Sequence, residues 1–600
     1  MPDIRRARGF DLARALGHGA RLFAFSLIIA AGASAYAQAP APRAPEGAST
    51  IAGPRVAVTA DRQMVVAANP LAADAGRQIL RQGGSAVDAA IAMQMVLTLV
   101  EPQSSGIGGG GFLLHYGAER KRVDAYDGRE TAPAKATADM FLDAEGKPLA
   151  FNEAALGGHA VGVPGVLRML ELAHDEHGRL PWARLFEPAM RLALDGFPIS
   201  PRLAKQIADT PQLKEFAATR AYFFDAEGNP KPAGTRLANP DLAETFRVIA
   251  NGGAQAFYNG GLARAVAKAV RETGKGGVLT ADDLKTYRAL KREAVCGPYR
   301  QLKICGMGPP SSGGVTVLQA MTILERFDLR GLQPNSAPAI HLIAEATKLA
   351  FADRNRYLAD PEFEQIPVER LTDRKYLAGR AKLVNAERAS GRAEPGRVAT
   401  RASRAADTLS ELPATSHLSV VDVAGNAVAF TTSVERAFGS YVMARGFLLN
   451  NQMTDFALRP RDGDVPNINR VEPGKRPRSS MAPTIVLDRE SRLVAALGSP
   501  GGPRIIPYVV QTLVASIDWN MDAQRAVALP HAVSMNNGTI ELERDTSLVN
   551  LAADLKALGH EVTLNHQTSG LSLIQVVRRQ GQTRLIGGAD PRREGEALGD

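Results

Sequence analysis

Cysteine is scarce in this 600-residue sequence, and the usual serine-hydrolase motif is missing. The two cysteines, Cys296 and Cys305, lie far along the chain from any obvious catalytic base and do not suggest a thiol enzyme. The Gly-x-Ser-x-Gly turn of α/β-hydrolases does not occur. The formal net charge is +9, but arginine is scattered rather than striped. The charge therefore favours solubility and does not indicate a nucleic-acid partner.

Long apolar runs are also missing, apart from one near the N-terminus. A lead with five arginines is followed by an apolar run over 22–31 and by the small residues Ala35 and Ala37. This order is typical of a secretory signal peptide, which we predict over residues 1–37. The 16 residues from Leu22 to Ala37 are short for a membrane span of about 20, although an uncleaved anchor is the alternative. We therefore expect a periplasmic or secreted protein with no membrane insertion after signal removal.

The rest of the chain changes character along its length. Residues 38–55 are rich in alanine and proline, and we predict a disordered linker there. Residues 56–414 read as helix-rich and end in a polar segment, 384–414, which we expect to be exposed and mobile. Residues 415–600 read as β-rich. Individual predictions are helices over 71–82 and 339–357, the second amphipathic, a buried helix opened by Ser85, and a hairpin over 417–434.

The two cysteines flank a predicted β-hairpin whose turn lies at Arg300 and Gln301. With that two-residue turn, Cys296 and Cys305 face each other in a non-hydrogen-bonded pair, where side chains lie closest. An exported protein meets an oxidising compartment, which favours a disulfide between them. The alternative is a pair of small buried apolar residues.

Two local patterns suggest ligands that their context does not support. Residues 106–111 match Gly-x-Gly-x-x-Gly, but a helix precedes the loop and a strand follows it. A dinucleotide site needs the reverse order, so we interpret the loop as a place of close backbone approach. His174 and His177 are a pair without a third ligand, and we expect an exposed helix end rather than a metal site. No cofactor is predicted.

Thr415 stands where the polar segment meets the first predicted strand of the β-rich part. A threonine hydroxyl is a poor nucleophile alone, but a free α-amino group, with a pKa near ~7.7–8, can be the base for its own side chain. That chemistry requires cleavage between Ala414 and Thr415. From the residues alone Thr415 is one candidate among many, because most threonines at strand edges are structural.

A set of motifs supports this candidate. They occur in one order along the chain, at 83–90, 106–111, 128–130, 309–314, 415–422, 425–428, 447–453, 475–481, 498–502 and 589–593. Together they resemble the gamma-glutamyltransferase (gamma-glutamyl transpeptidase) family of the N-terminal-nucleophile hydrolase superfamily, over about residues 56–595. The stretch 415–422 is similar to the family's processing site.

The resemblance implies an α+β fold, an αββα sandwich of two sheets between helix layers. It implies a precursor that cuts itself into a large subunit, 56–414, and a small subunit, 415–600, which stay together as a heterodimer. Thr415 would attack a γ-glutamyl amide such as glutathione, and water or an amino-acid or peptide amine would release the acyl group. No metal is implied.

The resemblance also implies roles for individual residues. Ser433 would be a second hydroxyl near the nucleophile, and the N–H groups of Gly501 and Gly502 would stabilise the oxyanion. Arg129 would clamp the substrate α-carboxylate. The other implied substrate contacts are Ser479 and Ser480 to that carboxylate, and Gln452 and Asp455 to the α-ammonium.

Three departures from the family pattern bear on specificity. Glu435 stands where well-known members have an asparagine that contacts substrate, and Thr454 replaces the first aspartate of a usual pair. The stretch 456–478 is shorter than the family's lid-bearing version and contains no tyrosine or tryptophan. Without a lid the acyl group is open to water, so we expect hydrolysis to outweigh transfer.

Two other functions compete with this hypothesis. A cephalosporin or glutaryl acylase of the same superfamily would share the Thr415 chemistry but prefer acyl groups without the α-ammonium. An unprocessed, inactive relative would be a binding protein and would be recovered as one chain. Arg129 and Asp455 favour the γ-glutamyl hypothesis.

Overall fold

The computed structural model describes residues 55–399, 403–407 and 414–600. The predicted signal peptide and nearly all of the predicted linker lie outside the described residues, as do 400–402 and 408–413 of the polar segment. None of the described helices combines the length and the apolar composition that a bilayer crossing requires.

The structure alternates short strands and helices along the chain. The strands are β1 (Val58–Ala60), β2 (Met64–Ala67), β3 (Gly110–Gly117), β4 (Arg122–Gly128), β5 (Phe197–Pro198), β6 (Arg236–Leu237), β7 (Leu290–Glu293), β8 (Val295–Tyr299), β9 (Leu302–Gly306), β10 (Ala414–Val421), β11 (Ala427–Glu435), β12 (Met443–Ala444), β13 (Phe447–Leu448), β14 (Arg461–Asp462), β15 (Val465–Pro466), β16 (Thr484–Leu487), β17 (Leu493–Gly498), β18 (Ala532–Val533), β19 (Thr539–Glu543), β20 (Glu561–Asn565), β21 (Ser572–Arg579), β22 (Gln582–Ala589) and β23 (Glu596–Gly599). The α-helices are α1 (Pro70–Arg81), α2 (Ala86–Val100), α3 (Phe151–Ala155), α4 (Val166–His177), α5 (Glu187–Asp195), α6 (Pro201–Ala208), α7 (Ala217–Phe223), α8 (Pro240–Gly252), α9 (Gln255–Tyr258), α10 (Gly260–Glu272), α11 (Ala281–Thr286), α12 (Gly313–Leu324), α13 (Ala337–Tyr357), α14 (Val368–Leu371), α15 (Arg374–Ala381), α16 (Ile505–Ile517), α17 (Ala523–Ala528) and α18 (Ala552–Ala557).

Two seven-stranded antiparallel sheets form the centre of the protein. Sheet A has the order β1-β22-β21-β17-β16-β9-β8, and sheet B has the order β23-β2-β10-β11-β3-β4-β7. The sheets pack face to face, with β2, β10 and β11 against β17, β21 and β22. Helices α1, α2 and α4 cover the outer face of sheet B, and α12, α16 and α17 cover that of sheet A. The layers are therefore helix, sheet, sheet and helix, and the predicted αββα sandwich is confirmed.

Helix α2 shows how the sequence sets one of these layers. Ser85 caps it as predicted: the Ser85 hydroxyl accepts from the N–H of Asp88, and the Asp88 carboxylate accepts from the N–H of Ser85. Every residue of α2 is buried, because the helix lies between sheet B and other helices. An apolar helix without a polar face is stable only in such a place.

Both sheets mix strands from the two predicted parts of the chain. The part before Ala414 supplies β2, β3, β4 and β7 to sheet B, and β1, β8 and β9 to sheet A. The description of that part as helix-rich missed several of these strands. Strand β7, with the sequence Leu-Lys-Arg-Glu, lies at a sheet edge and is only half-buried, so it lacks the apolar pattern of an interior strand.

Helix α13 is buried on nearly all sides, so its prediction as an amphipathic helix was wrong. Strand β18 and α18 contact it from outside, and part of the polar segment lies along it. The carbonyl oxygen of Asn385 lies 2.7 Å from Nε2 of His341, and Nζ of Lys348 donates to the carbonyl oxygen of Gly391 at 2.9 Å. The segment expected to be mobile is therefore tied to α13 at these residues.

Cys296 and Cys305 face each other across β8 and β9 and form a disulfide, with Cα atoms 4.1 Å apart. The turn contains Arg300 and Gln301, as predicted, with Arg300 at a positive φ of 54°. We expect thiol titration of the denatured, unreduced protein to find no free thiol. Replacing both cysteines by serine should lower the free energy of unfolding by about 2–3 kcal/mol, the chain-entropy value for so short a loop. Two titratable thiols in the purified, unreduced protein would contradict the bridge.

Candidate active site

Thr415 lies near the beginning of β10, in the middle of sheet B. Strand β10 pairs with β11, and the register places Thr415 opposite Ser433 with an irregularity between Ala414 and Thr415. The carboxylate of Asp422 closes the hairpin by accepting from the N–H groups of Ala424 and Asn426. This turn fixes the register that brings the two hydroxyls together.

A chain of hydrogen bonds links Thr415 to the carbonyl group that precedes it. The Thr415 hydroxyl donates to Oγ of Ser433 at 3.2 Å, and Ser433 donates to the carbonyl oxygen of Ala414 at 2.7 Å. The N–H of Glu435 donates to Oγ of Ser433 at 2.9 Å and orients it. Ser433 therefore polarises the peptide bond between Ala414 and Thr415 while it contacts the hydroxyl that could attack that bond.

The glycine-rich loop at 106–111 supports the strand that carries Ser433. A Cβ atom on Gly109 would lie 2.1 Å from the carbonyl oxygen of Ser433, and one on Gly108 would lie 2.0 Å from that of Leu448. Only glycine permits so close a backbone approach. The interpretation of this loop as structural is confirmed.

Three buried polar residues, Glu101, Arg202 and Arg593, hold the first residues of β10 in place, and their role was not predicted. Arg593 donates to the carbonyl oxygen of Thr415 at 2.7 Å. Ser416 donates to Glu101 at 2.7 Å, and Arg202 donates to the other oxygen of Glu101 at 2.9 Å. Burial raises the pKa of Glu101, and Arg202 opposes this. The only signal for them in the sequence is the arginine pair at 592–593.

Gly501 and Gly502 form the turn that leads into α16. Their φ angles are 138° and 57°, in the region that favours glycine, and a Cβ on Gly501 would lie 2.7 Å from the ring of Tyr508. Among the residues that the structure describes, no hydrogen bond uses the N–H of either glycine. Gly502 borders the same cavity as Thr415.

Arg129 is buried with its donors directed at two loops. Nε and Nη2 donate to the carbonyl oxygens of Pro477 and Arg478, at 3.1 and 3.0 Å. Nη1 donates to Oε1 of Gln452 at 2.8 Å, and Nη2 donates to Asp455 at 2.5 Å. The predicted carboxylate clamp therefore lies directly beside the two residues predicted to bind the ammonium.

The contact with Arg129 fixes the orientation of the Gln452 side chain. Its oxygen faces the guanidinium, so its amide nitrogen faces elsewhere, and this buried nitrogen makes no hydrogen bond to any described residue. An amide N–H suits a carboxylate rather than an ammonium. Glu130 lies 3.5 Å from Arg129, and burial raises the pKa of its carboxyl group to about 8 while Arg129 opposes this.

Glu435 borders the cavity from the end of β11 and is 2% exposed. Its φ of 82° turns the chain there, and its carboxylate accepts from the side-chain amide of Asn451. That amide also donates to the hydroxyl of Thr454 at 3.0 Å. Glu435 and Thr454, which both depart from the family pattern, thus accept hydrogen bonds from the same amide group of Asn451.

Most of the predicted site residues line one narrow cavity, together with two apolar residues that were not predicted. The lining residues are Arg129, Thr415, Ser433, Glu435, Gln452, Asp455, Ser479, Met481, Gly502 and Ile505. Ser480 does not line it: the Ser480 hydroxyl accepts from Arg354 at 2.6 Å, and this buried pair supports the loop instead. The structure therefore brings most of the predicted site residues to one cavity, while Ser480 and Gly501 are not among the residues that line it.

No histidine in the described part of the chain forms a hydrogen bond with Thr415. His417 is two residues away and fully buried, with Nδ1 2.8 Å from Oγ1 of Thr431. Burial lowers the pKa of His417 to about 3, so the ring is neutral at physiological pH. None of the described histidines is therefore placed to take a proton from Thr415.

His177 has more neighbours than its sequence context indicated. Strands β3 and β4 bring His115 and Asp124 beside it, with one ligand atom of each within 4.8 Å of the others. The rings of His115 and His177 are stacked, with centroids 3.7 Å apart and an interplanar angle of 20°. Because the lone pairs of imidazole lie in the ring plane, stacked rings do not converge on one ion. His174 and His177 are partly buried, not exposed as expected.

A second group of possible metal ligands consists of His341, Glu345 and His560, and these side chains already have hydrogen-bond partners. Nδ1 of His341 lies 2.7 Å from Nε2 of His560, and Glu345 accepts from Ser390 at 2.5 Å. The expectation of no metal remains a prediction.

Known proteins of one family are similar to this chain over most of its length. A family model described as gamma-glutamyltranspeptidase matches residues 72–600. The glutathione hydrolase proenzyme of Bacillus subtilis (strain 168) is 36% identical over 546 residues, covering 89% of this chain and 91% of the relative. That of Escherichia coli (strain K12) is 37% identical over 553 residues, with coverage of 89% and 91%. The acylase ACY 1 proenzyme of Pseudomonas sp. (strain V22) is 38% identical over 519 residues, with coverage of 85% and 89%.

The solved structures that are similar to this chain include a cephalosporin acylase and a gamma-glutamyltranspeptidase. The cephalosporin acylase from Bacillus halodurans has a TM-score of 0.80 and 28% identity, and the match covers 92% of this chain and 98% of that one. The gamma-glutamyltranspeptidase of Helicobacter pylori has a TM-score of 0.51 and 35% identity, with coverage of 53% and 90%. Because the family model spans most of the sequence and several relatives above 30% identity match along nearly their whole length, this chain belongs to the gamma-glutamyltranspeptidase family.

Proposed function

We propose that this chain is an autoprocessing γ-glutamyl hydrolase and transferase whose nucleophile is Thr415. The observation that supports this most is the hydrogen-bonded set of Thr415, Ser433 and the Ala414 carbonyl. It borders a cavity that also contains Arg129 and Asp455. A nucleophile, a polarised amide and a charged binding site for an amino acid therefore adjoin one another.

Processing would begin with attack of the Thr415 hydroxyl on the Ala414 carbonyl carbon. The C–O bond forms, the C–N bond breaks, and the nitrogen takes the proton, which leaves Ala414 esterified to the Thr415 side chain. Water then hydrolyses the ester to a carboxylate on Ala414 and a free hydroxyl and α-amine on Thr415. The Ser433 hydroxyl supports this step because it donates to the oxygen on which negative charge develops.

Turnover would repeat the same chemistry on a substrate. The α-amine of Thr415 accepts the hydroxyl proton as oxygen attacks the γ-carbonyl carbon, and the amine leaving group departs with that proton. The γ-glutamyl ester is then released by water or by an acceptor amine. The N–H groups of Gly501 and Gly502 are suited to the oxyanion, since no described residue uses them.

Substrate recognition follows from the charges around the cavity. Arg129, the amide nitrogen of Gln452 and the Ser479 hydroxyl suit an α-carboxylate. Asp455 and Glu435 suit an α-ammonium. This pairing supports glutathione and related γ-glutamyl compounds as the substrate class, and Glu435 would strengthen the grip on the ammonium.

A comparison of γ-glutamyl p-nitroanilide with glutaryl p-nitroanilide tests the proposal, because the two differ only in the α-ammonium. We expect the γ-glutamyl compound to have a kcat/KM about 10–100-fold higher, since removing the ammonium costs one or more charged hydrogen bonds of ~1.5–3 kcal/mol. A dipeptide acceptor should stimulate the reaction only slightly, because 456–478 is short and lacks aromatic residues.

The opposite results distinguish the alternatives. Equal or faster cleavage of the glutaryl compound would indicate an acylase, which the similarity to the Bacillus halodurans cephalosporin acylase and to the Pseudomonas acylases keeps as the second candidate. A single uncut chain without activity would indicate a binding protein. Strong stimulation by the dipeptide would contradict the prevalence of hydrolysis.

The partners and the location are part of the same proposal. We infer that the two cleavage products stay together as a heterodimer, supported by the mixed strands of both sheets. The signal-like pattern at residues 1–37 and the Cys296–Cys305 disulfide support a periplasmic or secreted location.

A further inference from the structure

A short part of the polar segment, residues 403–407, lies against the loop that carries the substrate-binding groups. The N–H of Ala405 donates to the carbonyl oxygen of Pro466 at 2.9 Å, and the N–H of Ile468 donates to that of Ala405 at 3.1 Å. The N–H of Asp407 donates to the carbonyl oxygen of Asn355 at 2.9 Å. These main-chain bonds hold Asp407 between α13 and the 456–478 stretch.

The Asp407 side chain is buried and charged. Asp407 and Arg478 are each 2% exposed, and Nη2 of Arg478 donates to the Asp407 carboxylate at 2.9 Å and to its carbonyl oxygen at 3.1 Å. The same carboxylate oxygen accepts from Nδ2 of Asn469 at 2.8 Å. Two side chains from one loop therefore converge on one acceptor.

Both of these side chains lead directly to the proposed substrate-binding residues. Nδ2 of Asn469 also donates to the carbonyl oxygen of Asp455 at 2.7 Å, and its Oδ1 accepts from the N–H of Arg478 at 2.9 Å. The carbonyl oxygen of Arg478 accepts from Nη2 of Arg129 at 3.0 Å, and the same nitrogen donates to the Asp455 carboxylate. These hydrogen bonds connect Asp407 to Arg129 and Asp455, through the side chain of Asn469 and the main chain of Arg478.

We propose that Asp407 is a positioning residue for substrate binding, acting through Arg478 and Asn469 on Arg129 and Asp455. This inference rests on the proposed function. Asp407 precedes Thr415 by eight positions, so cleavage would leave it on the large subunit while Arg478 and Asn469 belong to the small subunit. The contacts that hold Asp407 do not involve the bond that would be cut. The site that binds substrate would therefore depend on a carboxylate from the other cleavage product.

The test uses the full-length exported protein with Asp407→Asn, and Asp462→Asn as the matched control. Asp462 is an exposed carboxylate in the 456–478 stretch and contacts none of these groups. We expect Asp407→Asn to be cleaved as completely as wild type. Its KM for γ-glutamyl p-nitroanilide should rise about 10-fold while kcat changes less than about 3-fold, because binding groups are misaligned and the nucleophile is not. Asp407→Glu should recover part of the lost affinity, and Asp462→Asn should match wild type.

The outcomes separate this inference from the proposed function. If the wild-type protein is neither cleaved nor active, the proposed function itself is contradicted. An active wild type with an unchanged KM in Asp407→Asn would overturn only the role of Asp407, as would a lower melting temperature with unchanged kinetics. If Asp407→Asn does not fold, Arg478→Lys replaces it, since lysine keeps the charge but its side chain is one bond too short to place its nitrogen where Nη2 of Arg478 lies. A KM for Arg478→Lys equal to that of wild type would then overturn the inference.

Discussion

Thr415→Ala protein should accumulate as one uncut chain and should cleave γ-glutamyl amides at least ~10⁴-fold more slowly than wild type, because it lacks both the attacking oxygen and the released amine. The fold should persist, since alanine removes only a hydroxyl and a methyl group from a strand held by Arg593 and by β11. Intact-mass spectrometry, N-terminal sequencing and a γ-glutamyl p-nitroanilide assay would measure both effects.

Thr415→Ser is the matched control for this variant. Serine keeps the hydroxyl and the α-amine, so cleavage should proceed and activity should stay within roughly tenfold of wild type. The mechanism would be wrong if Thr415→Ala were recovered as two chains cut before residue 415. It would also be wrong if a single uncut wild-type polypeptide turned over glutathione.

Arg129→Lys should reduce kcat/KM for γ-glutamyl p-nitroanilide by about 10²–10⁴-fold, the equivalent of two charged hydrogen bonds at ~1.5–3 kcal/mol each. Lysine keeps the positive charge near Asp455 but cannot reach the acceptors that the planar fork of Arg129 serves. Cleavage before Thr415 should be retained, because Arg129 contacts neither hydroxyl of the Thr415 and Ser433 pair.

The control for Arg129→Lys is Arg184→Lys, which changes a half-exposed arginine paired with Glu187 on the surface. It should leave kinetics and cleavage unchanged, since exposed pairs contribute little. Unaltered kinetics in Arg129→Lys would show that the substrate carboxylate binds elsewhere. Loss of cleavage in that variant would mean that the buried arginine is needed for folding of the site.

Local signals in the sequence were sufficient to predict two hairpins, whereas the role of Ser433 was implied only by the family resemblance. The Asp422 to Asn426 turn sets the hairpin register, and that register places Ser433 opposite Thr415. The two-residue turn at Arg300 similarly places the cysteines opposite each other. Both features depend on strand pairing within fewer than twenty residues, which periodicity and turn chemistry describe well.

The other features of the site and fold depend on contacts between residues that are far apart in the sequence, so local patterns did not predict them. Glu101 and Arg593 meet around Thr415 although hundreds of residues separate them in sequence, and neither has a local pattern that marks its role. The orientation of the Gln452 side chain depends on Arg129, 323 residues away, so the sequence alone could not show which atom of its amide faces the cavity. The burial of α13 was missed because β18 and the 385–391 segment cover a helix face that looks polar in sequence.

The interleaving of strands in the two sheets bears on when the proposed cleavage could take place. In sheet B, β10 and β11 lie between β2 and β3, so a gene divided at codon 415 would give one polypeptide with a gap in its sheet and another whose strands lack neighbours. Each fragment would expose unpaired strand edges, which associate nonspecifically. Separate synthesis of the halves should therefore give insoluble material, and we expect the chain to stay continuous until the sandwich has assembled.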